Sequence, residues 1–190
     1  MPLLWAVALA GTATPIYVAH PAIVKAAVSN AFGTNKISLS AGSYTVPVSL
    51  KKADNVEQNS MAAGAVGKNA TLEVAEDGTA ILEVELKALN LYGMTGAAKD
   101  LKVYQGNDIK SETKDVIVEE TDEAGNPTKI KFTIPESAKT TDGIYLHMTI
   151  SPMGMGTDAF LKVDYASLKG NENVSDGTKE NTIHIAQFGG

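Results

Sequence analysis

An antiparallel β-sandwich is the fold class that this sequence predicts, on three observations. Short apolar–polar alternations recur along the chain, and Gly, Pro, Asn and Asp punctuate them at close intervals. No stretch carries the spacing of a long amphipathic helix. Val, Ile and Thr are prominent in a chain that is 44% hydrophobic, a composition suited to a pleated, half-buried surface. About eight short strands and one short 3₁₀ turn are expected.

The first segment differs from the rest. Residues 1–26, MPLLWAVALAGTATPIYVAHPAIVKA, are apolar and almost uncharged up to Ala19. They read as a signal peptide whose basic n-region is missing, with Val24-Lys25-Ala26 as the small-residue cleavage site. A membrane anchor is the competing reading, weakened by Pro15 and the lack of a basic flank. Membrane contact is expected only through this segment, if it stays uncleaved. Residues 27–36, small and polar, are expected to be a linker, with the domain spanning 37–168.

Gly42 to Leu50 places Tyr44, Val46, Val48 and Leu50 on one face of a strand. Pro47 has no N–H for a ladder, so an edge strand or a bulge is expected there. After a charged loop, Ser60-Met61-Ala62-Ala63-Gly64 combines an N-cap residue with a helix-ending glycine. One such turn is not stable alone and is expected to be held by what Met61 packs against. Lys68–Ala75 and Thr79–Leu86 form a hairpin around Asp77-Gly78. Leu89 to Gly96 carries two glycines and reads as a bend or bulge in a strand. Short strands follow at Leu101–Tyr104, Val116–Val118 and Ile130–Ile134. Residues 169–190 turn polar and are expected to be a tail or linker, with a stray strand at Asn181–Ile185.

The segment Gly143 to Tyr165 is the most informative. Ile144, Leu146, Met148 and Ile150 fall on one side of a first strand; Ala159, Leu161, Val163 and Tyr165 fall on one side of a second. The tip between them reads Pro152-Met153-Gly154-Met155-Gly156-Thr157-Asp158. Hairpin tips favour polar residues, so two thioethers there either cap the core or cover a ligand. Met153-x-Met155, with Met148 nearby, also has the soft donors that suit Cu(I). His147 alternates with polar neighbours and reads as a solvated strand histidine. Tyr92, Tyr104 and Tyr165 read as half-buried sheet aromatics whose hydroxyls reach polar partners.

Several function classes are excluded. With 16 basic and 22 acidic residues the net charge is −6, and no Lys/Arg cluster exists to grip nucleic acid. The chain has no cysteine, which removes disulfides, thiolate metal sites and thiol catalysis together. His20, His147 and His184 have no zinc-like spacing, and Glu119 to Glu123 lacks the spacing of a calcium loop. No Ser-His-Asp set, paired carboxylates in an apolar setting, or phosphate loop can be placed. A binding protein rather than an enzyme is expected.

In order along the chain, Gly42-Ser43-Tyr44-Thr45-Val46-Pro47-Val48-Ser49-Leu50, Ser60-Met61, Asp77-Gly78, Tyr92-Gly93-Met94-Thr95-Gly96, Met153-Gly154-Met155-Gly156 and Leu161-Lys162-Val163-Asp164-Tyr165 resemble the NEAT (near-iron transporter) domain family. The resemblance implies an immunoglobulin-like sandwich on a secreted or cell-surface protein of a Gram-positive bacterium. It also implies that the ligand is haem, passed on to or from another haem carrier. In that family haem lies between a 3₁₀ turn and the last hairpin. By this resemblance the Ser60 hydroxyl would bond a propionate, Met61 would lie over the distal face, and Tyr165 near the groove is a further contact. The chain departs from the pattern at the hairpin, where binders carry a tyrosine pair four apart. No tyrosine lies between Pro152 and Ala159, which leaves Met153 and Met155 as the metal-ligand candidates. A thioether is a soft, neutral axial donor that favours reduced iron, where a phenolate favours ferric iron. Ligation, apolar contact and core capping remain alternatives for these methionines. The competing function is an adhesion or structural sandwich that binds no haem. Asp54 to Gly67 has no aromatic residue, so direct haemoglobin capture is not expected.

Overall fold

The computed structural model describes residues 30–170. The leader read at 1–26 and the strand read at Asn181–Ile185 lie outside them. The described chain is all-β, with β1 (Ala31–Phe32), β2 (Ile37–Ser38), β3 (Gly42–Lys52), β4 (Val66–Val74), β5 (Ala80–Leu86), β6 (Leu89–Leu91) and β7 (Met94–Tyr104). Then come β8 (Thr113–Asp115), β9 (Ile117–Thr121), β10 (Pro127–Thr133), β11 (Gly143–Ser151), β12 (Met155–Val163) and β13 (Lys169–Gly170). Eight of these strands have five or more residues, in keeping with the sequence reading. There are three 3₁₀ turns rather than one, at Ala63–Ala65, Glu136–Thr140 and Tyr165–Ser167.

The strands pair antiparallel in the order β6-β7-β11-β12-β3-β4-β5-β10-β9. β3 is where this path folds into two layers. Its first half pairs with β4, from Gly42 opposite Val74 to Pro47 opposite Asn69. Its second half pairs with β12, from Val48 opposite Val163 to Lys52 opposite Ala159. Tyr44, Val46, Val48 and Leu50 are all buried, so one strand supplies core residues to both layers. The Tyr44 hydroxyl donates to the Ser40 carbonyl at 2.8 Å, which satisfies the one polar atom this face brings inward.

The expected edge strand is therefore corrected: β3 is interior. Pro47 sits where the strand changes partner, a point at which a ladder N–H is dispensable, and its carbonyl accepts from the Asp164 N–H at 2.9 Å. The expected linker is corrected too. Phe32 is fully buried, β1 pairs with β2, and the folded domain reaches back at least to Asn30. At the other end, Lys169 and Gly170 pair with Thr45 and Tyr44, and the rest of the tail or linker expected from 169 onward lies outside the described residues.

Leu89 to Gly96 is a separate hairpin, not a bend within one strand. Leu91 pairs with Met94 across Tyr92-Gly93, both of which have positive φ, 52° and 79°. This is the backbone that two-residue hairpin turns require. Tyr92 is consequently 83% exposed rather than half-buried. The hairpin abuts β11 through Gly96, where a Cβ would collide with the Ser151 carbonyl oxygen. Only glycine permits that approach.

The outer face of β7, β11 and β12 carries a polar staple. Asp158 Oδ1 accepts from the Tyr104 hydroxyl at 2.8 Å and lies 2.7 Å from His147 Nδ1. His147 is thus paired rather than simply solvated. A carboxylate only accepts, so Nδ1 carries the proton. Burial, then the Asp158 bond and charge, push the Tyr104 phenol up to about 12. Beside the staple, Tyr145 and Phe160 pack edge-on at 4.9 Å between centroids.

Two measurements check this core. The neutral Tyr104 phenol is favoured in the folded state, so its stabilisation is whole below the ordinary value of 10.0 and is lost as pH rises from there toward 12. Chemical denaturation across that window should show a smaller fall in stability for Tyr104→Phe than for the parent protein. Tyr165 is 3% exposed and packs on Phe32 at 5.5 Å, yet its buried hydroxyl has no hydrogen-bond partner among the described residues. An unsatisfied buried group costs about 1–3 kcal/mol. Tyr165→Phe should leave the midpoint unchanged or raise it, and a drop of about 1 kcal/mol or more would show a partner that this geometry lacks.

Candidate functional site

Three segments are linked through neighbouring strands, and each is placed by pairing rather than by its own propensity. The first is the turn that opens at Ser60. The Ser60 N–H donates to the Leu50 carbonyl at 3.1 Å, which ties the turn to the end of β3. Ser60 Oγ accepts from the Ala62 N–H at 3.2 Å, and the 3₁₀ turn itself begins at Ala63. The turn is held by buried Ala62 and Ala65, not by Met61 as expected. Small side chains let so short a turn sit flush on the core, and Met61 is left 58% exposed.

The second segment is the β6–β7 hairpin. Leu89 packs within 3.4 Å of a Cβ placed at Gly64, and the Lys87 N–H donates to the Ala65 carbonyl at 2.8 Å. β6 therefore lies on the 3₁₀ turn on one side and pairs with β7 on the other. The third segment is the β11–β12 tip. Ile150 pairs with Met155 across a turn that needs Gly154 at φ 64°. β7 runs beside it, with Ala97 opposite Ser151 and Ala98 opposite Ile150.

Strand alternation decides what each tip residue can do. Ala159, Leu161 and Val163 point into the core, and Thr157 and Met155 continue the same face beyond the core's end. Met155 is 52% exposed there. Leaving Met61 and Met155 about half in water forgoes about 1 kcal/mol each relative to burial. Met153, by contrast, is partly buried and packs against the core cluster. His147, Asp158 and Tyr104 belong to the opposite face of this sheet.

The structure places Ser60 and Met61 beside the end of β3, and Met153 and Met155 on the β11–β12 tip. Tyr165 is at neither place. That residue follows the far end of β12, buried against Phe32, and burial raises its phenol well above the ordinary range. A cleft of about 480 Å³ near Phe32, Asp142, Lys162 and Tyr165 includes none of the four. Met148 is wholly buried and cannot join Met153 and Met155 around an exposed copper ion. No group of three or more His, Cys, Asp or Glu fit to hold a metal occurs among the described residues.

Two further features escape a reading by motif. Lys52 lies opposite Ala159 on the face that Met155 continues, and among the described residues its ammonium donates only to the neutral Gln58 amide oxygen, at 2.9 Å. Tyr92 and the 44% exposed Met94 crown the β6–β7 hairpin. Their signal in the sequence was the positive-φ demand of a two-residue turn, read instead as a bend.

Among the described residues, no helix is long and apolar enough to cross a membrane. No curated protein matches the chain. The family model for the iron transport-associated domain, NEAT, matches residues 38–167, from the start of the sandwich to the turn after β12. The chain belongs to the NEAT, or iron transport-associated, domain family.

Proposed function

We propose that this protein is an exported, non-enzymatic module that binds haem between the Ser60-Met61 turn and the β11–β12 tip, for acquisition or relay to another carrier. The observation that carries the reading is the pair of exposed thioethers, Met61 on the Ser60 turn and Met155 on the β11–β12 tip, in a NEAT domain. A flat apolar ligand would cover both and recover the burial they forgo.

The residues fit the ligand's chemistry. Ser60 Oγ already accepts from the Ala62 N–H, so its own proton is free to donate to a propionate. Among the described residues, Lys52 offers a cation that no carboxylate neutralises. On the face toward the groove, positions 155 and 159 lie four apart and carry Met and Ala. In this reading Met155 would be the iron donor and Met61 would cover the ring, while Met153 anchors the tip. Thioether ligation stabilises ferrous over ferric iron and raises the potential. The segment 1–26 would direct export, which places the module outside the membrane or at the cell surface.

The absence of phenols at 155 and 159 favours the alternative, a structural or adhesive sandwich that keeps the fold without the ligand. Adding haemin to the full chain, with and without dithionite, separates the two. A one-to-one shift of the Soret band is expected; an unchanged spectrum in both states sinks the haem reading. Met155→Ala should weaken ferrous binding at least tenfold, about 1.4 kcal/mol, and abolish the low-spin spectrum while the melting temperature holds. Met153→Ala should instead lower the melting temperature, because its side chain packs on the core.

A further inference from the structure

The cleft of about 480 Å³ beside Tyr165 takes no part in the haem reading. One of its walls is the β1–β2 hairpin, through Phe32, Gly33, Asn35 and Ile37, all of which precede residue 38, where the family match begins. This wall is pinned in place. The Thr34 N–H donates to Asp142 Oδ1 at 2.9 Å, its hydroxyl donates to Oδ2 at 2.6 Å, and the Gly33 N–H donates to the Lys139 carbonyl at 2.8 Å. Gly33 has φ at 72°, and a Cβ there would come within 2.8 Å of Asp142 Oδ1, so glycine is what lets the wall close to this distance. The cleft is therefore pre-organised, which lowers the ordering cost of binding.

The facing wall comes from β3 and β12, and it carries charge of both signs. Lys51 pairs with Phe160 and Lys162 with Ser49, so the two lysines are diagonal neighbours on the outward side, and both line the cleft. The Lys51 ammonium donates to the neutral Asn59 amide oxygen at 2.7 Å. Among the described residues, neither lysine has a carboxylate partner. Asp164, two residues beyond Lys162, also lines the cleft. Its N–H donates to the Pro47 carbonyl at 2.9 Å, and its exposed carboxylate has no partner among the described residues. Asp142 is different, since Thr34 already engages both of its oxygens. Pro47 and Ile37 add apolar lining. Two residues of extended chain separate the cationic pair from Asp164, at most about 7 Å, which is also the reach of two peptide units.

We propose that this cleft is a second binding site, for a small zwitterion: an amine-carboxylate of dipeptide length with an apolar side chain. The ligand's carboxylate meets the Lys51 and Lys162 ammoniums, with the Ser49 hydroxyl beside them. Its ammonium meets the Asp164 carboxylate, and its apolar side chain lies on Pro47 and Ile37. Each unpaired charge of the cleft thereby gains a partner, and a plain anion would leave Asp164 without one. The site shares no residue with the proposed haem groove and stands whether or not haem binds there.

The test is an NMR titration of the full chain with alanyl-leucine, its N-acetyl form, its C-terminal amide and inorganic phosphate. Alanyl-leucine should shift the backbone amides of Ser49, Lys162 and Asp164 saturably, and each capped form and phosphate should bind at least fivefold more weakly. Lys162→Gln should weaken alanyl-leucine at least fivefold and leave the C-terminal amide, which has no carboxylate to lose, within twofold of the parent. Asp164→Asn should do the same to alanyl-leucine and leave the N-acetyl form within twofold. No saturable shift up to about 10 mM alanyl-leucine overturns the proposal. So does phosphate or the N-acetyl form binding as tightly as the free dipeptide, which would make this a simple anion site. Equal weakening of free and capped forms in both variants also overturns it, because a damaged cleft rather than a lost charge pair would then explain the change.

Discussion

The structure depends on a single strand belonging to two sheets. β3 pairs with β4 up to Pro47 and with β12 from Val48 onward, and its four inward residues are buried in a core common to both layers. Backbone hydrogen bonding thereby sets the relation between the layers, which side-chain packing alone would leave adjustable. Both walls of the candidate groove hang from the second half of this strand. The Ser60 turn bonds to Leu50, and β12, which rises to the methionine tip, pairs with Val48–Lys52. A shift of β3 would move both walls together.

The methionine tip lies where the core runs out. Inside the sandwich, the alternation along β11 and β12 buries Met148, Leu146 and Leu161 almost completely. Past Thr157 the same face has no opposing layer, and apolar residues that would be core one turn of the pleat earlier stand in water. The tip therefore reads apolar for a geometric reason: it continues the inward face of the hairpin beyond the inward side.

Much of this was legible in the chain because period-two alternation is a local signal. The long strands, the Asp77-Gly78 hairpin and the alternation of β11 with β12 all follow from it. What was not legible depended on distant partners. Pro47 looked like an edge residue because a change of pairing partner leaves no mark in nearby sequence. Phe32 looked like linker because its partner, Tyr165, lies far along the chain. The outward side of β11 looked plainly solvated, since Tyr104 and Asp158 reach His147 from two other strands. At the site, Met155 was legible as an apolar residue at a turn, while the anchoring role of Ala62 and Ala65 was hidden by their small size.

The contact between Gly96 and the Ser151 carbonyl bears on how such a site can diversify. Main chain meets main chain there, so the spacing between the β6–β7 hairpin and the methionine tip is a backbone dimension. Side chains at 92, 94, 153 and 155 can be exchanged without resetting it. The candidate groove would in effect be a fixed socket with replaceable contacts, and a lineage could exchange the side chains that line it while the surrounding frame stays the same. Mutation at 96 is the exception, since any side chain there would widen the socket itself.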